Sequence, residues 1–205
     1  HYYHATTLKE DIPVFGHTFY RLYQHIHVEI YHIYLFLINF KTRQAMLTQE
    51  QIADYHKKGY LGIENVFSPA EVEQLQQVTD EFIEQSRTIA EDDSIFELEP
   101  GHAPQTPKVR RLRNPVGQHP AYAQALRNER VLDIVAQLIG PAIRTNGNKL
   151  NMKLSELGSP VEWHQDWAFY PQTNDDLLAV GVCIDDMTEE NGCLMVVPGS
   201  HKGKI

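Results

Sequence analysis

The chain changes texture at Gly140-Pro141, and this break constrains the fold more than any other feature. Upstream, apolar residues recur at the three- and four-residue spacing of amphipathic helices; downstream, they gather in short runs cut by Gly, Pro and Asn. Thr48 with Gln51 three residues on forms a capping-box pattern, opening a short helix that Gly59 ends. Ser68-Pro69-Ala70-Glu71 is a second such box with proline at the first helical position, and Val72, Leu75, Val78, Phe82 and Ile89 make one apolar face. A third helix is expected over residues 121–139, stopping at Gly140-Pro141. Residues 60–66 alternate as a strand would, and residues 91–118, charged and rich in Pro and Gly, read as a long loop. Strand-like runs follow at 150–157, 161–168, 177–184 and 192–197. Helices first and antiparallel strands second is an α+β plan built around a sandwich or barrel. Four strands do not close such a core, so a β core left incomplete within the 205 residues is expected.

Charge narrows the partners. A formal net charge of −9 argues against life on nucleic acid or an anionic membrane surface, where clustered positive charge is needed. No apolar run reaches the roughly 20 residues that cross a bilayer. Cys183 and Cys193 lie ten apart with no CxxC spacing, which excludes a disulfide scaffold or zinc finger and fits a reducing, cytoplasmic location. Residues 1–45 differ from the rest: they hold six of the eleven histidines and six of the ten tyrosines. Residues 46–205 hold 14 Lys plus Arg against 24 Asp plus Glu. The expectation is that residues 1–45 are upstream sequence or a non-native extension, with Met46 as the natural start and residues 46–205 as the folded domain.

The chemistry concentrates in Trp163-His164-Gln165-Asp166-Trp167. On a strand, His164 and Asp166 would share one face and Gln165 the other. An imidazole and a carboxylate side by side are two of the three ligands of the facial triad that holds non-haem Fe(II) and leaves positions open for O2 and a co-substrate. The pattern is short, and a plain His–Asp hydrogen bond at a strand edge would produce it as well.

The flanking residues carry more. Trp163 through Asp166, Tyr170-Pro171, Asn191-Gly192-Cys193-Leu194 and Val197-Pro198-Gly199-Ser200-His201-Lys202-Gly203 follow one another in order. With Leu47-Thr48, Gly59-Tyr60-Leu61, Asn65-Val66-Phe67-Ser68 and Gly140-Pro141, this pattern resembles the phytanoyl-CoA dioxygenase family of Fe(II)- and 2-oxoglutarate-dependent oxygenases over residues 46–205. The resemblance implies N-terminal helices packed on a double-stranded β-helix (jelly-roll, cupin-like) core. It implies Fe(II) bound by His164 and Asp166, and a 2-oxoglutarate pocket lined by Asn151 and Lys149 from one strand face. Gln165 completes the matching triplet at the co-substrate site, with its side chain expected away from the metal. Trp167 and Tyr170 are expected to shape the mouth for a small-molecule substrate. The implied reaction is hydroxylation with O2, giving succinate and CO2 as co-products. The family's second metal histidine and its arginine for 2-oxoglutarate would lie beyond Ile205, so the domain is read as partial and this chain by itself as inactive. His201 matches a turn residue rather than a ligand.

Arg110, Arg111 and Arg113 form a small basic cluster that is read as a solvated part of the long loop, with an acidic substrate as the alternative. Asp185, Asp186, Glu189 and Glu190 look like a polar bend, and the two cysteines like small apolar groups within strands. There is no phosphate-binding glycine loop and no nucleophile elbow. Two rivals stay open: a cupin-like metal enzyme that does not use 2-oxoglutarate, and a non-catalytic β-sandwich binding module.

Overall fold

The computed structural model describes residues 47–154, 161–169 and 177–203, apart from the Trp167 side chain. These belong to the second of two units into which the chain divides, residues 45–205. The question of whether residues 1–45 are native therefore lies outside the described residues, as do Tyr170 and part of the predicted run at 150–157.

Both capping boxes form. Thr48 accepts from the Gln51 N–H at 3.1 Å while the Gln51 side chain accepts from the Thr48 N–H at 2.8 Å, starting α1 (Gln49–Lys58). Gly59 ends α1 at φ 85°, the left-handed region that favours glycine. Ser68 and Glu71 exchange the same pair of bonds at the start of α2 (Pro69–Gln85), whose Leu75, Val78, Thr79 and Phe82 are buried. Residues 60–66 between them form no strand; Asn65 turns the chain there at φ 58°. Alternation alone could not supply the partner that a strand needs.

The predicted long loop holds much of the order. It contains β1 (Phe96–Leu98), β2 (Val109–Arg113) and the short α3 (Pro115–Gln118). Its bend is locked by His102. The ring Nδ1 accepts the Lys108 N–H at 2.9 Å, so Nε2 carries the proton and donates to the Ser86 and Ile89 carbonyls at 3.0 and 3.2 Å. The third predicted helix is two: α4 (Pro120–Leu126) and α5 (Glu129–Ile139). Asn128 restarts the helix by accepting from the N–H groups of Arg130 and Val131, as an Asx residue before an acidic first turn does.

β3 (Lys149–Asn151) completes a three-stranded antiparallel sheet in the order β1-β2-β3. The register explains its two faces. Phe96, Leu112 and Leu150 stand opposite one another and face the core, where they join Leu75, Val78, Phe82, Val109, Ala121 and Tyr122. Glu97, Arg111 and Asn151 form the next row, which points outward. Leu112 is wholly buried and Val109 almost so. The Tyr122 hydroxyl meets Thr79 Oγ1 at 2.9 Å, so the polar end of this buried ring is satisfied. Burial raises the Tyr122 pKa, and the Thr79 bond offsets part of that rise. α1 packs beside α5, and the Leu47 N–H donates to Gln137 Oε1 at 3.1 Å.

Downstream of β3 the predicted strands differ from what forms. Residues 161–165 are irregular, a single 3-10 turn covers Asp166–Phe169, and residues 177–184 and 192–197 join no sheet among the described residues. Val180, Val182, Leu194, Met195, Val196 and Val197 are exposed, so the apolar patterning is real while the ladder that would use it is absent here. Cys183 is exposed rather than packed, and both thiols are free. The polar bend is borne out: Asn191 accepts from the Thr188 N–H at 2.8 Å and donates to the Asp186 carbonyl. Gln76 of α2 fastens this region by donating to the Ile184 carbonyl at 2.6 Å and to Asp185 at 3.1 Å. No described helix is long and apolar enough to cross a membrane.

Candidate metal centre

His164 and Asp166 come together without the strand that was expected to pair them. His164 lies in the irregular segment and Asp166 opens the 3-10 turn, yet His164 Nε2 and Asp166 Oδ1 are 3.3 Å apart. The ring is oriented from behind. Its Nδ1 lies 2.6 Å from the Glu162 carbonyl, which can only accept, so Nδ1 is the protonated nitrogen. The Phe169 ring meets the imidazole edge to face at 5.2 Å.

With Nδ1 donating, Nε2 is the atom that confronts the carboxylate. Two lone-pair atoms at this distance repel unless a positive centre stabilises them, either a proton on Nε2 or a cation bound by both. A histidine whose far nitrogen donates to a backbone carbonyl, with its near nitrogen beside a carboxylate, is the donor set that borderline divalent metals take. Both side chains are about one-third exposed (32% and 39%), so an ion can reach them. The donor chemistry therefore fits a divalent metal in two of its positions. No group of three or more such ligands occurs among the described residues.

Gln165 finds a specific partner: its Nε2 donates to the Ser200 carbonyl at 2.7 Å. His201 is engaged elsewhere. Its Nε2 donates to the His56 carbonyl at 3.2 Å, and the Gly199 N–H donates to the Lys58 carbonyl at 2.7 Å. These are two of the carbonyls that the end of α1 leaves without helical partners. The His201 ring lies so close to Gly59 that a Cβ there would sit 2.2 Å from Nδ1. Gly59 is thus demanded twice, by its φ and by this contact.

Asn151 and Lys149 share the outward face of β3 with Leu150 pointing inward between them. Asn151 Oδ1 accepts from Arg111 Nε at 2.8 Å, which orients the amide. No hydrogen bond or ion pair joins Asn151 or Lys149 to His164 or Asp166 among the described residues.

The three arginines sit on β2 and not on a solvated loop. Glu97 pairs with Arg110 at 3.2 Å, Arg111 at 3.1 Å and Arg113 at 3.6 Å, while Arg113 also meets Asp92 at 3.2 Å. The cluster is therefore structural, binding β1 to β2. The signal was Glu97 itself, an acid at the middle of the three-residue strand that pairs with this one.

A separate depression of about 360 Å³ lies between α2, α4 and α5, lined by Phe67, Leu75, Ala125, Asn128 and Arg130 among others. Glu71 binds Ser68, Asn128 and Arg130 there, and its Ser68 hydrogen bonds, with help from Arg130, hold its pKa below the ordinary value.

A chain from Stutzerimonas stutzeri, named as a probable alpha-ketoglutarate-dependent hypophosphite dioxygenase, is 38% identical over 156 residues, covering 76% of this chain and 54% of that one. An ectoine dioxygenase from Sphingopyxis alaskensis is 27% identical over 166 residues, covering 78% and 52%. The chain spans about half the length of the curated relatives it matches. Among solved structures, EctD from S. alaskensis with bound Fe superposes with a TM-score of 0.50 at 25% identity, over 62% of this chain and 43% of that one. The same protein with 2-oxoglutarate and 5-hydroxyectoine gives the same values. The model of the phytanoyl-CoA dioxygenase (PhyH) family matches residues 55–205, which include α2 to α5, the sheet and the His164–Asp166 pair, and the chain belongs to that family.

Proposed function

We propose that the protein is an Fe(II)- and 2-oxoglutarate-dependent dioxygenase that hydroxylates a small molecule, with succinate and CO2 as co-products. One observation carries the reading: His164 Nε2 and Asp166 Oδ1 converge at 3.3 Å with the imidazole fixed through Nδ1. Family membership and relatives named for 2-oxoglutarate chemistry support it. The proposed frame is a jelly-roll core carrying the site, with residues 46–205 as the part of the domain present in this chain and residues 1–45 outside it. Two free thiols fit a reducing cytoplasm.

His164 and Asp166 would hold the iron, the imidazole as neutral donor and the carboxylate as charge-balancing anion. When bound, iron and 2-oxoglutarate supply O2 activation coupled to oxidative decarboxylation of the co-substrate. The chain's own contribution is orientation. The Glu162 carbonyl keeps the proton on Nδ1, so Nε2 stays free to ligate. Arg111 aims the Asn151 amide, which would donate to a 2-oxoglutarate oxygen, and the Lys149 ammonium on the same face would attract a carboxylate. Trp167 and Tyr170 would line the substrate mouth. Gln165 acts on the site through its bond to Ser200 rather than by touching the co-substrate. An Asp at position 166 favours hydroxylation over halogenation, because a small residue there would free a position for halide.

The substrate class follows the relatives in two directions: an organic zwitterion, as for the ectoine dioxygenases, or a small phosphorus oxyanion, as for the relative named for hypophosphite. The deciding experiment measures O2-dependent conversion of 2-oxoglutarate to succinate by the purified full-length protein with Fe(II), with hypophosphite and ectoine as probes. Succinate that vanishes on Asp166→Ala supports the reading. Metal-dependent turnover that needs neither O2 nor 2-oxoglutarate would make it a cupin-like enzyme of another kind. A protein that binds no metal would be a binding module.

A further inference from the structure

We propose that Gln165 is a positioning residue that ties the metal-binding pair to the C-terminal end of α1 through the 199–203 turn; this rests on the functional reading above. His164 and Asp166 flank Gln165 in sequence, so fixing its side chain restricts the backbone of both. The need for such a tie is visible in their surroundings. Among the described residues, the other hydrogen bonds of residues 161–169 are local: His164 to the Glu162 carbonyl, and the Ala168 N–H to the Gln165 carbonyl at 3.1 Å. No sheet ladder holds this segment among the described residues. The bond from Gln165 Nε2 to the Ser200 carbonyl, 2.7 Å long and spanning 35 residues, is the long-range hydrogen bond that anchors it among the described residues.

Ser200 is itself held on both sides. Gly199 donates to the Lys58 carbonyl and His201 to the His56 carbonyl, so the turn caps α1 as a Schellman-type donor pair would, except that the donors come from far along the chain. Within the turn, the Ser200 N–H donates to the Val197 carbonyl at 3.1 Å and the Gly203 N–H to the Ser200 carbonyl at 2.9 Å. The Ser200 oxygen thus accepts both Gly203 and Gln165, using both lone pairs. Gly59 leaves the space into which the His201 ring fits. The path runs from the α1 carbonyls through His201 and Ser200 to Gln165 and so to the two ligands.

The test uses Gln165→Met, which keeps length and loses the donor, His201→Ala, and the double variant. Asn128→Ala, which removes the α5 cap, serves as a control for general loosening. Mn(II) affinity is measured by calorimetry, with His164→Ala as the zero, and amide hydrogen exchange is followed on the metal-free protein. Gln165→Met is expected to weaken Mn(II) by about tenfold, the range seen when partners behind a metal ligand are removed. His201→Ala should weaken it less, and the double variant should fall no further than Gln165→Met. Asn128→Ala should lower the melting temperature with Mn(II) affinity unchanged. Exchange should rise together in residues 162–168 and 199–203 for both single variants. Wild-type Mn(II) affinity in Gln165→Met, equal loss in Asn128→Ala, or exchange raised only around the substituted residue would each overturn the proposal. If the wild type binds Mn(II) no better than His164→Ala, the metal reading falls, and the exchange data alone then decide whether the tie exists.

Discussion

Residues 47–154 and the described residues 161–169 and 177–203 are built on different principles. The first segment buries its apolar residues, caps its helices and pairs its strands; Leu112, Val109 and Ser86 have essentially no exposed surface. The second leaves Leu194 and Met195 largely exposed at 77% and 66%, and is fastened at separate points: Gln76 to Ile184, Gly199 and His201 to α1, and Gln165 to Ser200. The candidate metal ligands lie in the second segment. On the proposed reading, stability and chemistry are separable here: the core sets whether the domain folds, while a few hydrogen bonds set where the candidate ligands stand.

That contrast can be broken by substitution. In the full-length protein, Asp166→Ala should abolish 2-oxoglutarate-dependent succinate formation, because half of the described donor pair disappears. Its melting temperature should stay near that of the wild type, and a large drop would show that the pair is structural. Leu112→Ala should do the reverse. Emptying this wholly buried site costs about 2–5 kcal/mol by chemical denaturation, with the specific activity of the folded fraction retained. Equal damage to both properties would erase the distinction between the segments.

Smaller effects sharpen it. His102→Ala removes three hydrogen bonds that lock the bend between α2 and β2, and should cost about 1–3 kcal/mol by denaturant titration without altering metal affinity. The weakest expected signal is in pH. Glu71 has its pKa held below the ordinary 4.5 in the fold, chiefly by the Ser68 backbone and hydroxyl. The folded state prefers its ionised form, so this contribution is fully present above about pH 4.5 and fades as the pH falls through the lowered pKa. Glu71→Gln should flatten the acid limb of the stability curve slightly, leaving the curve above pH 5 parallel to the wild type.

The helical layer was legible because its signals are local. A capping box and an apolar stripe need only neighbouring residues, and both boxes form as read. The break at Asn128 was legible in principle, since Asn followed by Glu is a helix start, but the apolar period running through it masked the restart. β1 and β2 were missed because three- and five-residue strands carrying three arginines look polar; their order comes from Glu97 across the ladder, a long-range partner that no local pattern displays. At the site, the pairing of His164 with Asp166 was read from residue types, whereas its expected vehicle, a strand, was not what brought them together. The Gln165–Ser200 bond lay beyond reach because it joins two loops 35 residues apart.

The cap on α1 has a kinetic side. Its last carbonyls wait for donors from Gly199 and His201, the latter 145 residues downstream. Closing a loop of that length is entropically costly before any contact rewards it, so contacts of this span tend to form late. The final turn of α1 is expected to stay frayed, its carbonyls on water, until the 199–203 turn arrives. An early element of the chain thus finishes folding among the last, and the order in which the polypeptide emerges from synthesis is not the order in which its parts become native.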